Sequence, residues 1–299
     1  MYDARPNRLF GDGNLLFGLA TIVVVGGCFA GALMMPGFGG SDEPDPALVA
    51  GTHSNAMLEL TNPEALNEAM AGEDEQRFLK TLLAVAPSRY VDLQRTFSAD
   101  ALSEKDQMAA IQDAAYQTLL ENADILTYAS GQSLNRLLDG LVRDLRTAQQ
   151  SGTKYCEGST YEGIAGAPQA ALAGWAMNQN LSDADFYPTA VRVNADLLEL
   201  VRQAQTNPAR HGLFSKGDEA EIQKAMIGVM ADPSVVRVVT ASGNEADALK
   251  ALNLCSVGAK ALNAFRKLPD DTKGRAWAAM MAHPKVKQGI RTAQQQAAT

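Results

Sequence analysis

The stretch LNRLLDGLVRDL, residues 134 to 145, decides the fold class of this chain. Its leucines recur at intervals of three and four residues, at Leu134, Leu137, Leu138, Leu141 and Leu145. Because an α-helix has about 3.6 residues per turn, this spacing places the leucines on one face. Such a face is stable when it packs against other apolar faces. The stretch therefore predicts one amphipathic helix within a multi-helix core.

Similar apolar spacing recurs on both sides of this stretch. The repeats are Tyr90, Leu93 and Phe97; Met108, Ile111, Ala115 and Leu119; and Ala190, Val193, Leu197, Val201 and Ala204. Capping patterns predict helix starts at Thr61, Ser103, Ser182, Ser215 and Ser242, and Pro63 and Pro233 follow capping residues. The single β-rich run, residues 235 to 240, fits a strand or a buried short helix about equally well. We expect an all-α domain of roughly nine to twelve helices.

The run from Asn14 to Pro36 is uncharged and mostly apolar over 23 residues. About 20 such residues span the hydrocarbon core of a bilayer as one helix, so the run predicts a single N-terminal transmembrane helix. Arg5 and Arg8 precede it, and no Lys or Arg follows until Arg77. Basic residues stay on the cytoplasmic side. We therefore expect a single-pass protein of the cytoplasmic (inner) membrane, with its N-terminus inside and its folded domain in the periplasm or an equivalent extracytoplasmic space.

A cleaved signal peptide is the alternative to a retained anchor. Residues 30 to 32, Ala-Gly-Ala, offer a small-residue cleavage site. The apolar run is longer than an ordinary signal core of about 7 to 15 residues, which favours retention. Gly27 and Gly31 form a G-x-x-x-G pair on one helix face, where another membrane helix can approach closely. This pair predicts a membrane-protein partner or a homodimer through the transmembrane helix.

Composition divides the chain into five parts. These are a cytoplasmic N-terminus (1–13), the transmembrane helix (14–36), a flexible acidic linker (37–47), a first helical lobe (48–150) and a second helical lobe (151–299). Residues 37 to 150 carry 18 acidic against 8 basic residues, whereas residues 151 to 299 carry 14 against 16. The membrane-proximal half is therefore acidic, and the second half is slightly basic.

The C-terminal segment from Lys260 to Arg291 has eight basic and two acidic residues. Ordinary solvated helix faces explain this, and a docking surface for an anionic partner is the sharper alternative. That alternative rests on Arg266, Lys267, Lys273 and Arg275, and it predicts that their replacement leaves stability almost unchanged. Nucleic acid is not an expected partner, since no nucleic-acid-binding motif is present.

Two of the three cysteines, Cys156 and Cys255, fall in the part expected to be exported. An even pair in an oxidising compartment predicts a disulfide, with two buried free thiols as the alternative. Cys28 lies in the apolar run, where it is interpreted as a small apolar residue.

Chemistry-bearing motifs are scarce. His53, His211 and His283 are far apart in sequence and have no metal-ligand spacing, and the chain has no G-x-S-x-G or phosphate-loop motif. No metal and no cofactor is predicted. The loop around Cys156 carries Glu157 and Glu162 beside tyrosines, a setting in which a carboxyl group with a raised pKa acts as general acid in glycan cleavage.

Two functions remain open from the sequence. The preferred one is a non-enzymatic, membrane-anchored helical protein that makes protein contacts as an accessory or scaffold subunit of an envelope or membrane complex. The alternative is a membrane-anchored enzyme that cleaves cell-wall glycan with Glu157 or Glu162 as the acid.

Overall fold

The computed structural model describes residues 63–99, 103–159, 187–240 and 245–282. These ranges contain twelve α-helices and no β-strand, which confirms the all-α prediction for the described part. The helices are α1 (Pro63–Ala69), α2 (Glu73–Val85), α3 (Pro87–Ala99), α4 (Glu104–Glu121), α5 (Ala123–Leu126), α6 (Gly131–Gln150), α7 (Tyr187–Thr206), α8 (Lys216–Met230), α9 (Pro233–Thr240), α10 (Glu245–Lys250), α11 (Leu254–Arg266) and α12 (Asp270–Ala282). A short 3-10 helix, Lys154–Cys156, follows α6.

The predicted transmembrane segment 14–36, with Gly27 and Gly31, lies outside the described residues, as does the linker 37–47. Within the described ranges, no helix combines the length and the apolar character needed to cross a membrane.

Two apolar clusters form the core, and α7 contributes to both. The smaller cluster joins α1, α2, α3 and α4 to Val191, Ala195 and Leu198 of α7. The larger cluster contains the leucines of α6 together with residues of α5, α8, α11 and α12, and it receives Val193, Leu200 and Val201 from other faces of α7. The most extensive helix pairings are α2 with α7 and α6 with α11. Helices from both sides of residue 150 thus interleave in each cluster, and a lobe boundary there stays a prediction.

Local capping explains where several helices begin. The Ser103 hydroxyl accepts a hydrogen bond from the backbone N–H of Asp106 at 3.2 Å, and Ser215 accepts one from Asp218 at the same distance. The predicted caps at Thr61, Ser182 and Ser242 lie outside the described residues. Two caps were not predicted: Ser130 begins α6 and Asn253 begins α11. Each supplies a side-chain oxygen to a backbone N–H that has no partner within the helix.

The valine-rich run is helical, since α9 extends from Pro233 to Thr240. The expected burial of this helix is wrong at Val236, which is 43% exposed. The Asp232 carboxylate accepts a hydrogen bond from the backbone N–H of Ser234 at 2.9 Å and another from the ammonium group of Lys260 at 2.5 Å. A capped start with proline at the first helical position therefore outweighs the strand preference of the valines.

The predicted disulfide between Cys156 and Cys255 is present, with a Cα–Cα distance of 4.9 Å. It ties the 3-10 helix after α6 to the first turn of α11. An isolated bridge between Glu157 and Asn253 lies beside it. Both cysteines are almost fully buried in the larger cluster.

Candidate functional site

A polar cleft opens where the first turns of α2 meet the facing sides of α6 and α7, and it encloses about 940 Å³. Helical periodicity explains its composition, because residues three and four apart share a face and the opposite faces of α6 and α7 are taken up by the core. Its lining residues are Glu73, Asp74, Arg77, Ser130, Gln132, Ser133, Arg136, Asp139, Gly140, Arg143, Arg192, Asp196, Gln203 and Asn207. Four arginines thus stand against four carboxylates.

Two of the arginines that line the cleft, Arg77 and Arg192, are bound to carboxylates of neighbouring helices. Arg77 of α2 donates to Asp196 of α7 and, at 3.0 Å, to Asp74. Arg192 of α7 pairs with Asp144 of α6 at 2.5 Å and lies 3.8 Å from Asp74. These bonds connect three helices, so the network fixes the width of the cleft as well as neutralising its acids.

Burial is the main influence on the pKa of the two buried carboxylates, Asp196 and Asp144. The pKa of Asp196 and the pKa of Asp144 are both raised because burial disfavours the charged form, and the hydrogen bonds from Arg77 and Arg192 oppose this shift. Each carboxylate accepts a hydrogen bond from an arginine. A carboxylate held in this way contributes to a fixed pattern of charge and is poorly suited to transfer a proton to a substrate.

Gly140 lets α7 come close to α6 at the centre of the cleft. A Cβ atom at this position would lie 3.0 Å from Oδ2 of Asp196, closer than an ordinary van der Waals contact. A side chain at position 140 would therefore push the Asp196 carboxylate away from the α6 wall by a few tenths of an ångström.

The other two arginines, Arg136 and Arg143, are exposed on the α6 wall. The nearest carboxylate contact of Arg143 is Asp144 at 3.7 Å, which is too long for a hydrogen bond. Arg136 forms no ion pair with any residue in the described ranges. Its charge helps to lower the pKa of Glu199, although the main cause there is the hydrogen bond from Arg202. Arg136 and Arg143 therefore present N–H donors to the cleft that are not used in hydrogen bonds to carboxylates.

The carboxylates singled out in the sequence do not line this cleft. Glu157 is exposed beside the disulfide, and its carboxylate accepts a hydrogen bond from the Ser159 hydroxyl at 3.3 Å. Glu162 lies outside the described residues. Trp277 belongs to the core, where its indole N–H donates to the backbone oxygen of Leu126 at 2.9 Å.

The four cations interpreted as an anionic-partner surface have unequal positions. Lys273 is 2% exposed, and its ammonium contacts Asn135 at 2.6 Å and Asp270 at 2.8 Å. Arg275 makes a bidentate contact with Asp218, and Arg266 pairs with Asp139. Lys267 is the exposed member of the four. A shared docking surface at these residues stays a prediction, and the burial of Lys273 counts against it.

Sequence reasoning missed the cleft. The usable signal was the polar face of the leucine-striped helix, on which Arg136, Asp139 and Arg143 follow helical spacing. What no local pattern shows is the partner of each charge, since Arg77 and Asp196 are 119 residues apart.

Comparison of the chain with protein family models, with curated proteins and with solved structures finds no match.

Proposed function

We propose that this chain is a non-enzymatic accessory or scaffold subunit, anchored by residues 14–36 in the cytoplasmic membrane, whose helical domain contacts a partner protein through the polar cleft. The observation that carries the proposal is the pairing of the buried carboxylates Asp144 and Asp196 with Arg192 and Arg77. Paired carboxylates on rigid helices present a fixed pattern of charge, which favours specific recognition over acid–base catalysis.

The extracytoplasmic location is supported by two features. The basic residues near the apolar run, Arg5 and Arg8, both precede it. The disulfide between Cys156 and Cys255 is of the kind that persists in oxidising compartments. Gly27 and Gly31 provide a second contact within the membrane, either with a partner helix or with a second copy of the chain.

One experiment tests the location and the contact together. Intact spheroplasts that carry the tagged full-length chain are treated with a membrane-impermeant, amine-reactive cross-linker, and the products are identified after detergent extraction. We expect a defined cross-linked partner for the parent chain and its loss for Arg136→Gln combined with Arg143→Gln. Arg146→Gln is the matched control, because Arg146 is exposed on the same helix and does not line the cleft.

Two results would contradict the proposal. Cross-linking that occurs only after the membrane is permeabilised would place the domain inside. Release of soluble fragments from purified cell-wall glycan by the parent chain, lost in Glu157→Gln or Glu162→Gln, would favour the glycan-cleaving enzyme instead.

A further inference from the structure

The two exposed arginines of the polar cleft, Arg136 and Arg143, have a regular spacing. Arg136 and Arg143 are seven residues apart on α6. Seven residues are close to two helical turns, so both side chains leave the same face, about 10.5 Å apart along the helix axis. Both line the cleft and both are exposed.

The carboxylates near these arginines are already bound elsewhere. Asp139, which lies between them on α6, pairs with Arg266 of α11. Asp144 pairs with Arg192 at 2.5 Å, and its distance to Arg143 is a long 3.7 Å. Asp196 pairs with Arg77. The charges of the cleft balance as a whole, but its α6 wall presents two positive groups in a row.

A segment of the same chain has acidic residues at a matching spacing. The acidic segment, Asp42 to Pro46, reads Asp-Glu-Pro-Asp-Pro and lies outside the described residues. Proline at two of its five positions favours the polyproline II conformation there and at the residue before each proline. That conformation has about three residues per turn and rises about 3.1 Å per residue. Asp42 and Asp45 would then share a face at about 9.3 Å, close to the arginine spacing.

The connection is long enough to bring the two together. Sixteen residues, 47 to 62, separate the acidic segment from the start of α1. Extended chain covers about 3.3 Å per residue, which gives a reach of about 50 Å. Only α1 and a three-residue turn separate Pro63 from Glu73 at the mouth of the cleft.

We propose that the acidic segment docks on the α6 wall of the polar cleft, with the carboxylates of Asp42 and Asp45 on the guanidinium groups of Arg136 and Arg143. The segment then acts as an internal ligand that a partner must displace. Individual exposed ion pairs are weak, but a tethered ligand has an effective concentration on the order of millimolar. The docking uses only this chain, so it depends neither on the membrane anchor nor on an external partner.

Carbodiimide cross-linking of the purified full-length chain in detergent tests the docking. Arg136→Lys and Arg143→Lys keep the positive charges and introduce amines that carbodiimide joins directly to carboxylates. At low salt we expect a cross-linked peptide that contains residue 42, 43 or 45 and position 136 or 143. It should be lost at about 1 M salt, where the Debye length is about 3 Å. The matched control, Arg146→Lys, places the amine outside the cleft and should not give this peptide.

Mixing chains of natural isotope content with chains uniformly labelled with ¹⁵N separates the remaining outcomes. Cross-links within one isotopic form support the internal docking, whereas mixed cross-links would show docking between copies and overturn it. Absence of the peptide at low salt, or equal yield from Arg146→Lys, would also overturn it. Because no partner protein is present, failure of this experiment leaves the proposed partner contact to its own test.

Discussion

Asp218 shows how one side chain can stabilise two parts of the fold. Its carboxylate accepts the backbone N–H of Ser215 at 2.9 Å, which completes a capping box at the start of α8. The same carboxylate accepts Nη2 of Arg275 at 2.7 Å and Nε at 3.0 Å, which joins α8 to α12. The capping pair follows from its spacing of three residues. The ion pair spans 57 residues and could not be predicted locally.

Replacement of Arg275 should therefore reduce stability. The pKa of Asp218 lies well below its ordinary value because of the hydrogen bond from Arg275, with further contributions from Ser215. A lowered pKa in the folded state adds stability that is full above the unfolded pKa of about 3.9 and is lost as pH falls through the folded pKa. We expect Arg275→Gln to lower the urea midpoint at pH 7 and to weaken the dependence of stability on pH below about 4.

Lys267→Gln is the control for this measurement, because Lys267 is exposed and its replacement should change the free energy of unfolding by less than about 0.5 kcal/mol. Equal midpoints for the two variants would contradict the role given to the ion pair. They would instead agree with the interpretation of both residues as parts of a solvated docking surface.

At the scale of helices, local sequence accounts for much of what forms. The leucines of α6 are buried as their spacing predicts, and the caps at Ser103 and Ser215 are found where the capping pattern places them. The start of α9 shows the limit of this reasoning. Its valines fit a strand, and only the capped proline at its beginning favours a helix. Local signals compete there, so the sequence left both alternatives open.

Close approach between helices produces constraints that a stripe pattern does not reveal. Gly131 begins α6, and a Cβ atom there would lie 2.0 Å from the backbone oxygen of Asp270 at the start of α12. Backbone cannot move aside as a flexible side chain can. We expect Gly131→Ala to lower the free energy of unfolding in urea by about 1–3 kcal/mol, because α12 must shift.

Gly228→Ala is the matched control for this substitution. Gly228 is exposed in the last turn of α8, and a Cβ atom there would meet no atom within 4 Å. Alanine should raise stability by about 0.5–1 kcal/mol, because it has the higher helix propensity. A loss of stability in Gly131→Ala together with a gain in Gly228→Ala would show that the close contact, and not helix propensity, sets the effect at position 131. A gain in stability in both variants would show that α6 and α12 are not held in contact.

At the scale of the whole molecule, the arrangement of helices depends on pairings between distant segments. The all-α class followed from periodicity, but α2 pairs most extensively with α7, which lies more than a hundred residues further along the chain. An amphipathic stripe shows that one face of a helix must be buried, but it does not show which other helix packs against that face. The polar cleft exists only because of those pairings. Its residues could therefore be recognised as polar helix faces, and their assembly into one site could not.

The disulfide is the exception, since its two partners could be paired once Cys28 was assigned to the apolar run. It closes a loop with a sequence separation of 99 residues, which contains α7, α8, α9 and α10. Restricting so long a loop in the unfolded chain stabilises the fold by about 4.7 kcal/mol in the chain-entropy model, within a usual range of about 2–5 kcal/mol for native bridges.

Removal of the bridge should consequently destabilise the whole domain. We expect Cys156→Ala combined with Cys255→Ala to lower the free energy of unfolding in urea by about 2–5 kcal/mol. Cys28→Ala, which leaves both partners of the bridge in place, should equal the parent chain. Because α7 joins both apolar clusters and lies inside the closed loop, the loss should appear as one shifted transition for the whole domain. A double variant as stable as the parent, or recovery of both cysteines as alkylated thiols without prior reduction, would show that the fold is held by its helix packing alone.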